Sequence, residues 1–246
     1  MVRKLFIDFL NRVAALFKGE GYRIDPNLPV SALFEYLLSK VFALLRCLMR
    51  GVVISVNPRK LVFLGPAVEL KNRRMIHFGR GVTLGRSVMI DGLSIEGIVI
   101  GDGSSIGPYG MIRATGVLSS VGVGFKLGSN SSMDAFAFVG ASGGVVVGSN
   151  VIMGQKVSFH SENHLYDRLD VPIRHQGTTR QGIVVEDDCW IGSNVTFLDG
   201  AHVASGCVIG AGSVVRGYIP ANSIAVGVPA RVIKSRGAVA EKKNDE

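Results

Sequence analysis

The sequence predicts an all-β solenoid, a parallel β-helix with an α-helical segment ahead of it. Three observations carry this. First, a six-residue beat places aliphatic or aromatic residues at Val185, Ile191, Phe197, Val203, Ile209 and Val215. Second, the residue four places after each is mostly small: Cys189, Val195, Ala201, Cys207 and Ser213, with Ile219 larger. Third, the 246 residues include 32 glycines and only 7% aromatic side chains. Neither the 3.6-residue helix nor the two-residue strand returns every sixth side chain to one environment. A coil of three flat six-residue faces does, and its hexapeptide repeat marks a parallel β-helix. Tight corners need left-handed dihedrals that Gly adopts at little cost, and a narrow interior leaves little room for rings.

Residues 1–60 differ in kind. Residues 4–18 carry apolar positions at Leu5, Phe6, Phe9, Leu10, Val13, Leu16 and Phe17, opposite Lys4, Asp8, Asn11, Arg12 and Lys18. Residues 31–50 are richer, with Leu33, Phe34, Leu37, Leu38, Val41, Phe42, Leu44, Leu45, Leu48 and Met49. Both read as amphipathic helices with wide apolar faces, separated by the breaker Asp25-Pro-Asn-Leu-Pro29. Glu35, Lys40, Arg46 and Arg50 interrupt the second well short of the roughly 20 apolar residues that span a bilayer. Asp8 and Arg12 likewise break any signal-peptide core, so the expected location is cytoplasmic. Residues 1–50 either cap the open end of the solenoid or also lie at the inner face of the membrane, with Lys40, Arg46 and Arg50 against anionic headgroups.

Residues 61–236 hold the coil. The beat runs through Phe78, Leu84 and Ile90; Ile100, Ile106 and Ile112; Leu127, Met133, Val139 and Val145; then Val147, Met153 and Phe159. Each change of phase, such as that between Val145 and Val147, predicts a bulge or short corner loop. A larger break at residues 160–184 reads as a loop thrust out of the coil, and long loops on rigid scaffolds usually carry function. Residues 237–246 are polar and read as a frayed tail.

The net charge of +8 implies an anionic partner. No helix-turn-helix, zinc-finger or RNA-stacking motif accompanies it, so nucleic acid is not expected. An acidic cofactor or an acidic membrane surface accounts for the excess. Cys189 and Cys207 share the small-residue position one coil apart and should stack as buried thiols rather than form a disulfide framework.

The stretch Cys189-Trp-Ile-Gly-Ser-Asn, Ile209-Gly-Ala-Gly-Ser-Val-Val, Ile219-Pro-Ala-Asn and Gly227-Val-Pro-Ala-Arg-Val-Ile-Lys resembles the hexapeptide-repeat acyltransferases. Within these it is similar to the sugar O-acetyltransferases such as the maltose and galactoside enzymes. Asn163-His164 with Pro172-Ile-Arg-His-Gln-Gly looks closer still to O-acetyltransferases of lipopolysaccharide and capsule assembly. The resemblance implies a left-handed parallel β-helix, a homotrimer, acetyl-CoA as co-substrate and a sugar or glycan acceptor.

It also assigns roles. His164, at the sixth place of the hexapeptide starting at Phe159, matches the catalytic base. A sugar hydroxyl is a poor nucleophile, and an imidazole titrating near neutrality removes its proton as it attacks a thioester. Ser193 matches the residue that stabilises the oxyanion, and Ser193 and Ala211 line the coenzyme groove one coil apart. Trp190 matches a residue beside the pantetheine arm, and Arg231 and Lys234 match positions that meet phosphates. Arg216 stands where the family often has Thr-Lys and supplies charge in its place. Asp134 and Ser142 replace the family's sugar-binding Asn and Asp, with Asn163 beside the base.

His160 lies close to His164, but no third histidine among His77, His175 and His202 sits where a metal would need it, so no metal is expected. His160 is taken to support the loop, and His202 to be a surface residue. The same residues would serve an amine acceptor, so an N-acetyltransferase on an amino-sugar nucleotide is the close alternative. A non-catalytic membrane-associated scaffold is the alternative from another class.

Overall fold

The structure, a computed structural model, describes residues 11, 23–25, 27–49 and 61–237. The helix read at residues 4–18, Arg50 and the tail beyond residue 237 fall outside the described residues.

The fold is a left-handed parallel β-helix of three faces. The first face is nine-stranded and runs from Phe63–Leu64 to Ala230–Ser235, while the second and third are seven-stranded. The second includes Phe138–Gly140, Ser158–His160 and Thr196–Leu198; the third includes Phe125–Leu127, Val145–Val147 and Ile183–Val185. Every residue of the six-beat, from Phe78 to Val215, is buried. The small positions Cys189, Val195, Ala201, Cys207 and Ser213 are buried with them. Phe159 and Phe197 stack inside at 4.6 Å between centroids.

The slips in the beat have one location. The first-to-second corner keeps its six-residue spacing in every coil, as from Leu84 to Ile90 and Ile191 to Phe197. The corner between the second and third faces takes all the insertions: residues 92–97, 114–124, 141–144 and 161–182 lie there. The shift between Val145 and Val147 is not the bulge its phase predicts. Both are inward residues of the single strand Val145–Val147, because third-face strands bury two side chains where second-face strands bury one. The excursions therefore line up along one edge of the prism, and backbone bonds tie each to the next: Glu96 N–H to Val123 O at 2.8 Å, and Val123 N–H to Ser142 O at 3.0 Å.

The stacked thiols are where their spacing places them. Cys189 Sγ donates to Ala204 O at 3.4 Å and Cys207 Sγ to Pro220 O at 3.0 Å. Burial pushes the Cys189 thiol up to about 11, so it stays protonated and inert near neutrality. Native protein at pH 8 should leave Cys47, Cys189 and Cys207 unlabelled by a thiol reagent, with all three reacting after denaturation. Rapid native labelling of Cys189 would contradict the buried stack.

The helix Val30–Met49, here α1, follows the breaker, where Asn27 N–H donates to Asp25 Oδ1 at 2.7 Å. Its Cys47 joins Val62 and Leu64 in the core, so α1 covers the interior of the first coil. Two of the basic residues expected against headgroups turn inward instead. Lys40 Nζ donates to Thr83 Oγ1 at 3.1 Å and lies 4.6 Å from the Phe63 ring, and Arg46 donates to Leu64 O at 3.2 Å. Phe34, Val41, Phe42, Leu45 and Leu48 remain exposed. No helix among the described residues is long and apolar enough to cross a membrane.

Candidate active site

The residue that begins the excursion is Ser161. Buried at 1% exposure, its hydroxyl donates to Gly140 O and accepts from Gly143 N–H, both at 2.9 Å. Any side chain at Gly143 would collide with Ser161 O, so only glycine lets the two coils approach here. Glu162 then pairs with Arg180 at 2.6 Å in a partly buried ion pair, and Arg180 reaches Val121 O at 3.3 Å. Between these partners a short antiparallel hairpin sets Asn163 opposite Thr179 and His164 opposite Thr178.

The segment beyond is ordered by local bonds, although it lacks the six-beat. Gln176 donates to Arg168 O at 2.6 Å and Val171 O at 2.7 Å, and its own Oε1 accepts from Arg168 N–H at 3.0 Å. A 3-10 turn, Ile173–His175, follows Pro172. Sequence reasoning missed Ser161, Gln176 and the Glu162–Arg180 pair, because single polar residues carry no periodic signal. Ser161→Ala should lower stability by about 1–3 kcal/mol, the penalty for stranding buried polar partners, with the loss read in a denaturant titration. An unchanged midpoint would show that Ser161 does not anchor the hairpin.

His164, Asn163 and half-buried Ser142 share the second-to-third corner. Arg216 lies on the same side at the last coil, directly after the strand Val214–Val215, which pairs with Thr196 and Phe197. Asp134, Ser193 and Ala211 lie on a different edge, the first-to-second corner. There Ser193 packs over Gly154 and Ala211 over Gly192, where added Cβ atoms would meet them at 2.6 Å and 2.5 Å. Trp190 stands outward on the first face, 59% exposed.

Register places Trp190 in one row with Ile152, Val208, Ile224 and Lys234. The strand carrying Arg231 and Lys234 returns antiparallel after a reversal at Gly227, whose φ of 102° needs glycine. Arg231 pairs with Val226, whose side chain lies over Gly210, so it stands near the edge that carries Ala211. Within one chain, then, His164 and Arg216 lie on one side, apart from the other coenzyme candidates Trp190, Ser193, Ala211, Arg231 and Lys234. The width of one face, roughly 15–20 Å for a hexapeptide of strand, separates the His164 corner from the Ser193 corner.

Of the other histidines, His160 takes a different position from that expected, while His202 is the surface residue expected. His160 does not support the hairpin. It points out from the second face against Phe138, with ring centroids 5.4 Å apart, and partial burial lowers its pKa. At the surface His202 is held by neighbours: its Nε2 lies 2.8 Å from Glu186 Oε1 and its ring meets Tyr218 edge-on. Bonds from His202 and Ser205 hold the Glu186 carboxyl below its ordinary range. A cleft of about 520 Å³ lies under α1, lined by Leu38, Phe42, Phe63 and Thr83. It is remote from His164 and Trp190 and belongs to the docking of the helix.

Residues 182–217 match the family described as Bacterial transferase hexapeptide (six repeats). The chain is 32% identical over 164 residues to a Mycobacterium tuberculosis protein named as a probable acetyltransferase, covering 67% of this chain and 51% of that one. It is 31% identical over 112 residues to an Escherichia coli protein named for O-acetyl transfer in lipopolysaccharide biosynthesis, covering 43% of this chain and 57% of that one. The chain thus spans about half the length of these curated relatives. A solved Vibrio cholerae hexapeptide-repeat acetyltransferase complexed with acetyl coenzyme A aligns at a TM-score of 0.47 and 26% identity, covering 55% of this chain and 69% of that chain.

Proposed function

Because this chain belongs to the hexapeptide-repeat acyltransferases, we propose that it is an acetyl-CoA-dependent O-acetyltransferase. Its acceptor is a sugar hydroxyl of a surface polysaccharide or its precursor. The observation that carries the reading is His164 on a braced hairpin at one edge, with Trp190 and Lys234 in one row on another face. The His164 imidazole takes the hydroxyl proton as the sugar oxygen attacks the thioester carbonyl carbon. Backbone donors near Ser193 stabilise the oxyanion. The C–S bond then breaks, and the thiolate leaves as coenzyme A with the proton returned by His164. Trp190 and Ala211 flank the pantetheine, and Arg216, Arg231 and Lys234 supply charge for the phosphates. Asp134, Ser142 and Asn163 orient the acceptor. The relative named for lipopolysaccharide biosynthesis supports the choice of a glycan.

The split of the candidates over two edges has a consequence for assembly. Each active site forms between copies of a homotrimer, with His164 from one and Trp190 from its neighbour. This predicts complementation. His164→Ala and Trp190→Ala proteins, each impaired alone, should regain activity when unfolded together and reassembled. Random mixing in a closed ring leaves about one quarter of the sites with both native residues. Coenzyme A release measures it, and a mixture no better than its parts would exclude a site shared between copies.

A further inference from the structure

The turn residue at the first-to-second corner is left-handed in coil after coil. Ser87, Tyr109, Phe136, Lys156 and Asn194 have φ between 53° and 61°. Asn and Gly accept this backbone at little cost, whereas a bulky residue there is an outlier. Tyr109 and Phe136 occupy it in successive coils. Their rings stack with centroids 5.0 Å apart and planes 8° from parallel, yet remain 46% and 53% exposed. Burial within the chain therefore does not offset the backbone cost, and such outliers gather at functional surfaces.

An acidic group lies on the same edge. Asp134, two residues before Phe136, is exposed and packs directly over Gly107, where an added Cβ would meet the Asp134 carbonyl carbon at 2.6 Å. Ser193 stands two coils further on, roughly 10 Å along the axis.

The geometry points to a saccharide-binding platform formed by Tyr109 and Phe136, with Asp134 beside it. The C–H face of a pyranose carries weakly positive hydrogens that meet the negative face of an aromatic ring, and a carboxylate accepts hydroxyl protons. The platform would hold non-reacting units of the glycan whose hydroxyl is acetylated, so it rests on the acceptor reading given above.

The test replaces the rings without disturbing the corner, since Asn tolerates a left-handed turn. Saturation-transfer NMR uses the methyl glycosides of glucose, galactose and N-acetylglucosamine, without acetyl-CoA. Wild-type protein should transfer saturation to the glycoside ring protons. The Tyr109→Asn/Phe136→Asn protein should lose that transfer at unchanged size in solution and an equal or higher thermal midpoint. With an active glycan acceptor its acceptor KM should rise by about tenfold, with the KM for acetyl-CoA unmoved.

Absence of transfer in wild type, or equal transfer in both, overturns the platform. So does a variant that dissociates or melts earlier, which would make the rings a contact between copies. Ring-dependent transfer in a protein that releases no coenzyme A with any acceptor would reject the acetyl-transfer reading and leave the platform standing. Glycan-dependent release with unchanged kinetics in the variant would do the reverse.

Discussion

His164→Ala is expected to lower coenzyme A release from acetyl-CoA by about 10²–10⁴-fold, the usual contribution of a positioned general base. The fold should survive. The side chain is exposed, and the hairpin is held by backbone pairing of Asn163 with Thr179 and by the Glu162–Arg180 pair, none of which uses the imidazole. Exposed substitutions away from such anchors change stability by roughly 0.5 kcal/mol or less. The measurement is single-variant turnover with a thiol reagent, with circular dichroism and light scattering as controls. Near wild-type turnover in a well-folded variant would remove His164 from the mechanism, and with it the proton path proposed here.

The second large effect is on stability. Phe197→Ala should cost about 3–5 kcal/mol, the range for truncating a buried aromatic. Phe197 is fully buried and stacks on Phe159 one coil below, so its loss opens a void that rigid neighbouring strands cannot close. Against a typical domain stability of roughly 5–15 kcal/mol that is a large fraction. In a solenoid the damage spreads through nearest-neighbour coils, so the hairpin that leaves the coil just after Phe159 should lose protection in hydrogen exchange along with strand Thr196–Leu198. A loss below about 1 kcal/mol would mean the two rings are not packed as described.

Much of the coil was legible because a hexapeptide face is a local rule. Val185, Ile191 and Phe197 point inward for the same reason, and each position can be read from the residues around it. The stacked Cys189 and Cys207 follow from the same rule, since residues one coil apart share an environment. The assignment of His164, Trp190 and Ser193 came from resemblance, which names residues but not their distances. The anchors of the hairpin left no trace. Ser161, Gln176 and the Glu162–Arg180 pair act by individual hydrogen bonds and an ion pair across 5 to 21 positions of sequence, and no period records such bonds. The inward turn of Lys40 and Arg46 was unreadable for the same reason. An amphipathic helix shows which side chains are charged, but not that the docked coil offers Thr83 Oγ1 and Leu64 O to receive them.

By itself, then, the sequence determined the solenoid and its core, because six-residue spacing and small inward residues constrain each turn locally. Only the tertiary structure decided that the insertions share one edge and that His164 stands a face away from Ser193. It alone decided that Tyr109 and Phe136, each three residues after a residue of the beat, stack ring on ring at one exposed corner. The physical reason is that stacking coils converts positions distant in the chain into neighbours about 4.8 Å apart, and which edge each residue reaches depends on the summed lengths of every insertion before it.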